Sequence, residues 1–189
     1  GKENRRGCIE VEVGDVHDVI RTVAIYRPAL TREHKHDLYN QRRKGAALVD
    51  YAHPILEEIL GPTQGVPIFQ EQVMEICYAV GMSHAEVYKV YKAIKLAKGV
   101  GRGAKEAFAE IEPLFRAACK KAGIKHGVEE MWNEVRSSQG YGFNKGHASS
   151  YGILAVRAAY LKAHHPAEFF TALLDVYPEK AKYRAAARA

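Results

Sequence analysis

The 189 residues contain no apolar run approaching the roughly 18 that a membrane-spanning helix needs. The opening stretch Gly1-Lys-Glu-Asn-Arg-Arg6 is polar with no apolar segment behind it, so no signal peptide is visible. Gly rather than Met stands first, and the chain reads as a processed or excised piece. Cysteine is scarce: Cys8, Cys77 and Cys119 lie far apart, with no CxxC or other zinc spacing. Cys77 and Cys119 fall in apolar helical patterns and are expected to be core thiols, which suits a reducing cytoplasm. Neither His34 with His36 nor His164 with His165 places two ligands on one helical face, so no metal site is expected in the chain. Internal repeats, low-complexity linkers and a Ser/His/Asp signature are all missing.

What is present is the composition of a folded globular protein, 47% hydrophobic and 26% charged. The length allows one domain, or one large lobe of something bigger, with a sizeable core. The net charge is +6 and the pI about 9.2. This moderate basic excess suits nucleic acid or nucleotide phosphates without requiring either.

Periodicity predicts an all-α chain with room for one short strand pair. Residues 1–14 are expected to be irregular, with Ile9-Glu-Val-Glu-Val13 alternating as a short strand does. Asp15 is placed to N-cap a helix from Val16 to Tyr26, stopped by Arg27-Pro28. A short helix is expected around Lys35 to Lys44, and Pro54 starts another to Leu60. After the turn Gly61-Pro-Thr-Gln-Gly65, Ile68 and Phe69 read as extended, and a helix runs from Glu71 to Val80. Ser83 with Glu86 forms the capping-box pattern of a helix reaching about Lys98. Further helices are expected over Lys105–Ala122, Val128–Ser137, His147–His164 and Ala167–Val176. The helical domain is drawn over 15–177, with a helical or frayed tail over 178–189. Ile153, Leu154, Val156, Tyr160 and Leu161 spread around the His147–His164 helix, which is therefore expected to be central and buried.

Two segments invite a chemical reading. On the Ser83–Lys98 helix, Val87, Val90, Tyr91, Ile94 and Ala97 gather on one side. Lys89, Lys92 and Lys95 fall on the other, Lys98 lies at the boundary, and Arg102 and Lys105 follow in a glycine-rich break. No acidic residue occurs between Glu86 and Glu106, so these lysines have few intrahelical partners. They form either a solvated face over a buried stripe or a positive surface for phosphates. Gly99-x-Gly-x-Gly103 is not a P-loop, since no Gly-Lys-Ser/Thr follows; a hinge fits it better. The second segment, Gly140-Tyr-Gly-Phe-Asn-Lys-Gly-His147, feeds a helix N-terminus, a place that attracts anions. Lys145 adds charge, and Tyr141 or Phe143 offers a ring to stack on a base or sugar. The structural alternative is a helix entry capped by Asn144 with its aromatics packed inside.

Several segments, in order, resemble the alpha subunit of bacterial (C-family) DNA polymerase III. Val23-Ala-Ile-Tyr-Arg-Pro28 is similar to a family stretch ending Arg-Pro-Gly-Pro, although Ala29-Leu30 replaces the last two. Tyr51-x-His-Pro54 and Gly65-Val-x-Ile-Phe-Gln-Glu-Gln-Val-Met74 resemble its Tyr-Gln-Glu-Gln-Val-Met region. Gly140–His147 nearly matches Gly-Tyr-Gly-Phe-Asn-Lys-Ser-His, with Gly146 where the family often has Ser. Tyr160-Leu-Lys-Ala-His-His-Pro-Ala-Glu-Phe169 follows. The resemblance covers roughly residues 16–176 and implies the fingers, an irregular multi-helix domain that closes on the incoming nucleotide. It implies nucleotide contacts from Arg27, Lys92, Lys95, Asn144, Lys145 and His147, the last beside the sugar. Lys89, Lys98, Arg102 and Lys105 are expected to contact DNA. Val90-Tyr-Lys-Ala-Ile94 stands where the family has Leu-Arg-Arg-Ala-Met: Lys92 takes the second arginine's place and Tyr91 replaces the first. A lysine supplies a point charge rather than a bidentate fork.

The implied whole is a DNA-directed DNA polymerase with dNTP and template-primer DNA as partners, in the nucleoid, touching a sliding clamp through other regions. Its Mg2+ belongs to palm aspartates; no Asp-x-Asp occurs in this chain. No catalytic residue is assigned here, and the piece alone is expected to be inactive without palm and thumb. The alternative is a non-enzymatic helical module that binds nucleic acid through the Lys89–Lys105 surface.

Overall fold

The computed structural model describes residues 2–96, 103–138 and 142–188. Among these, twelve α-helices and one 3₁₀ turn follow each other with short connections. They are α1 (Lys2–Val11), α2 (Val16–Ile25), α3 (Pro28–Arg32), α4 (Lys35–Arg43), α5 (Pro54–Leu60) and α6 (Gln70–Ala79). Next come α7 (His84–Leu96), α8 (Gly103–Lys121), α9 (Val128–Ser137), α10 (Lys145–His164), α11 (Pro166–Val176) and α12 (Ala181–Arg188). The all-α expectation holds. The strand pair reduces to a single parallel bridge between Phe69 and Phe143.

Local chemistry explains most of the helix starts. Asp15 accepts a 2.7 Å bond from the Asp18 N–H at the head of α2. Before α7, the Glu86 carboxylate accepts from the Ser83 N–H at 2.7 Å and from its hydroxyl at 2.6 Å. Pro54 and Pro166 occupy first turns, where a missing N–H costs nothing.

Two cores result. The larger joins α5 to α9 around Trp132, whose ring lies 5.4 Å from Phe115 and 6.3 Å from Phe108. Cys77 and Cys119 are buried in it as free thiols. Burial pushes the Cys77 thiol up to about 12. The smaller core joins α1 to α4, the segment 66–69 and Ala148 of α10. At its edge the buried Asp18 carboxylate receives Arg43 through two bonds, at 2.9 and 2.7 Å, and Arg21 at 3.0 Å. Burial opposes its charge, but the Gly14 N–H and the two guanidiniums still hold its pKa below the ordinary value.

Two expectations are overturned. The N-terminal segment is neither irregular nor stranded: residues 2–11 form α1, with Val11 buried and Ile9 68% exposed, and residues 9–13 form no strand. Packing decides this, because Gly7 lies so close to Tyr26 that a Cβ there would meet the ring at 2.6 Å. Contact with α2 outweighs the alternation of a short segment. Nor is α10 buried on all sides. Only Ala148 and Gly152 are buried on it, while Leu154 is 57% and Tyr160 58% exposed. Its inner face presses on α2 at Gly152, where a Cβ would come within 2.6 Å of Ile20 Cγ1. The outer apolar residues find no cover among the described residues.

Candidate functional site

The bridge between Phe69 and Phe143 sets the register of the site. Gln70 N–H donates to the Phe143 carbonyl at 2.9 Å, and Phe143 N–H donates to Ile68 at 3.2 Å. Gln72 fixes the α6 side of this junction. Its Oε1 accepts from the Ile68 and Phe69 N–H groups at 3.0 Å, and its Nε2 donates to Thr63 Oγ1 at 2.8 Å. Gly142 is wedged against α6 and α7: a Cβ there would lie 3.2 Å from Gln70 Cβ and 3.1 Å from Ile94 Cγ2. Glycine is therefore what lets the loop rest between the two helices.

Asn144 caps α10, accepting from the His147 N–H at 2.7 Å. Its Nδ2 donates to Glu71 Oε1 at 2.9 Å, and the Lys145 N–H donates to Glu71 Oε2 at 2.9 Å. The N-terminus of α10 thus already holds a carboxylate of its own chain. Both polar ends of Asn144 are engaged within the protein, so it supports the loop. The capping expectation for Asn144 holds, and Phe143 packs against the smaller core.

Aromatic contacts line up the exposed residues. The Arg27 guanidinium lies 3.6 Å from the Phe143 ring centre. Burial draws the pKa of Arg27 below its ordinary value. Phe143 meets His147 edge-on at 5.4 Å, and His147 lies 4.4 Å from Tyr151. Arg27, Phe143, His147 and Tyr151 form a continuous row from the head of α3 to α10. Lys145 borders a separate groove of about 970 Å³ between α2, α5, α6 and α10, shared with Arg21, Glu58 and Glu75.

On α7, Val87, Val90, Ala93 and Ile94 are buried, whereas Lys89, Lys92 and Lys95 are exposed and form no ion pair with a described residue. Lys92 Nζ sits 4.7 Å from the Tyr88 ring centre and Lys95 Nζ 4.3 Å from that of Tyr91. Such contacts steady a lysine without neutralising it. Tyr91, where the resemblance expected an arginine, therefore props a neighbouring cation. Lys105 is exposed on α8. Lys98 and Arg102, and the glycine break between them, lie outside the described residues.

Residues 2–123 match the model of the bacterial DNA polymerase III alpha subunit finger domain. The chain belongs to this family. The fingers chain is 32% identical over 161 residues to DNA polymerase III subunit alpha of Campylobacter jejuni, covering 83% of the chain and 13% of that protein. The subunit from Aquifex aeolicus is 31% identical over 168 residues, or 88% of the chain and 14% of the protein. An error-prone DNA polymerase of Symbiobacterium thermophilum is 34% identical over 163 residues, 85% of the chain and 15% of the protein. The fingers chain thus spans about one seventh of the length of these relatives. The loop ahead of α10 lies beyond the span matched by the family model.

Sequence reasoning missed Glu71 and Gln72. Glu71 stood in the sequence only as the first residue of an expected helix and a member of the Gly65–Met74 stretch; its partners lie 73 and 74 residues away. Among the described residues no three His, Cys, Asp or Glu side chains converge as a metal-ligand set. None of the described helices is long and apolar enough to cross a membrane.

Proposed function

We propose that this chain is the part of a DNA-directed DNA polymerase that receives the triphosphate of the incoming dNTP and lies against template-primer DNA. The carrying observation is the seat of Gly142 against Gln70 of α6 and Ile94 of α7, which starts the loop carrying Phe143, Lys145 and His147 at the helix that bears three outward lysines. Lys92, Lys95 and Lys145 supply positive charge to phosphates. His147, held between Phe143 and Tyr151, faces the sugar, and Arg27 buttresses Phe143. Lys89 and Lys105, with Lys98 and Arg102, contact the DNA backbone, where charge and not sequence sets affinity. The carboxylates and Mg2+ of nucleotidyl transfer come from a palm outside this chain; the Mg2+ stabilises the developing charge. The fingers contribute orientation and charge stabilisation. The exposed apolar residues of α10 and α11, among them Leu154, Leu161 and Val176, pack on the rest of the enzyme. The protein works in the nucleoid, and its clamp contacts lie in other regions.

Truncating Lys92, Lys145 or His147 to Ala in the complete polymerase should raise the dNTP KM about tenfold or more for each side chain removed. Unchanged KM and kcat for both Lys145→Ala and His147→Ala would sink this assignment. The unpaired lysines of α7 also favour a second reading, a nucleic-acid-binding module without enzymatic partners. Strong, salt-dependent DNA binding by the isolated chain, measured by anisotropy at two salt concentrations, would support that second reading.

A further inference from the structure

Glu71 stands at the second position of α6, where the helix N-terminus favours a negative charge. Its two oxygens divide between two donors on the facing segment, Asn144 Nδ2 and the Lys145 N–H, each at 2.9 Å. The first bond settles how the Asn144 amide is turned. With its NH2 committed to Glu71, its oxygen must face α10, where it accepts the His147 N–H at 2.7 Å. Turning that amide over would break both bonds. One carboxylate thus controls the first turn of α10 at Lys145 directly and at His147 through Asn144. The bridge between Phe69 and Phe143 brings the two partners into register. Nothing on α10 itself replaces this clip, since its first turn carries no acidic residue.

We propose that Glu71 is a positioning residue for nucleotide selection: it touches no substrate, and holds Lys145 and His147 where the nucleotide meets them. This rests on the nucleotide-binding reading above. Glutamine at 71 keeps one acceptor but turns an NH2 toward a second donor, so one bond is lost. Aspartate at 144 still caps His147 but sets a second carboxylate against Glu71. Combined, the exchanges restore both bonds between the two segments: the new glutamine side chain would donate to the new carboxylate and accept from the Lys145 N–H, and only the long 3.4 Å contact from Gln70 Nε2 within α6 is given up. The net charge is unchanged from the parent.

The test uses the complete polymerase carrying this chain, with Glu71→Gln, Asn144→Asp, the double exchange and His147→Ala. Steady-state kinetics, DNA binding and hydrogen exchange over peptides spanning 142–150 are measured. Each single exchange should raise the dNTP KM about tenfold and speed amide exchange at the start of α10, with DNA Kd within about twofold. The double exchange should return KM and protection to within about threefold of the parent, which a general loss of stability cannot produce. Losses that simply add in the double exchange, or an unaffected KM in Glu71→Gln beside a raised KM in His147→Ala, overturn the role of Glu71 alone. An unaffected KM in His147→Ala as well brings down the nucleotide reading and this proposal together.

Discussion

Replacing Asp18 by Asn tests the ion pair that ties α1, α2 and α4 together beneath α10. The carboxylate accepts four bonds: Gly14 N–H at 2.9 Å, Arg21 at 3.0 Å, and Arg43 at 2.9 and 2.7 Å. Its side chain is 5% exposed, against 20% for Arg21 and 26% for Arg43. Asparagine retains one acceptor oxygen but turns an NH2 toward the Gly14 N–H or an Arg43 donor, and leaves two half-buried cations without their counter-charge. Breaking one partner of a buried pair costs about 3–5 kcal/mol. The arginines keep some water, so the lower figure applies, about 3 kcal/mol. In a chain of this length that is a fall in Tm of about 6–12 °C. Thermal melts followed by circular dichroism would show it. The pH dependence adds a second check. The folded pKa of Asp18 is depressed, so its contribution is complete above the unfolded carboxylate value and is lost as pH falls through the folded one. The gap between parent and variant should hold from pH 7 to about 5 and narrow below about pH 4. A gap under about 1 kcal/mol at pH 7, or one that persists undiminished at pH 3, would refute this account of the pair.

Two further outcomes concern the larger core. Trp132→Ala should cost about 3–5 kcal/mol in urea unfolding, whereas Trp132→Phe should cost much less, because the buried Trp132 Nε1–H has no hydrogen-bond partner among the described residues. A loss from Trp132→Phe as large as from Trp132→Ala would show that the N–H is satisfied after all. Thiol labelling at pH 8 should modify only the half-buried Cys8 in the folded chain: burial raises the pKa of all three thiols, but only Cys77 and Cys119 are sealed from the reagent. All three should react in denaturant.

Helical order was legible because it depends on near neighbours. Asp15, Ser83 with Glu86, Pro54 and Pro166 mark helix starts through contacts within a few residues, and the helices lie where those residues place them. The spacing of Val87, Val90 and Ile94 likewise separated the buried side of α7 from its lysine side. The motif ahead of α10 identified the candidate site and Asn144 as its cap.

Contacts between distant parts of the chain settled the remainder. Ile9–Val13 alternates like a strand, but the fit of Gly7 against Tyr26 keeps Ile9–Val11 in α1. Apolar residues spread around nearly all faces of α10, yet one face alone is covered, at Gly152 against Ile20. Composition records that a surface favours burial, not whether a neighbour is there to bury it. Tyr91 looked like a lost arginine until its ring was found beside Lys95. Glu71 is the clearest case: a solvent-facing acid in a helical pattern becomes a clip only when the bridge between Phe69 and Phe143 brings Asn144 and Lys145 within 2.9 Å. Hydrogen bonds are short and directional, so a partner more than seventy residues away leaves no periodicity in the sequence to reveal it.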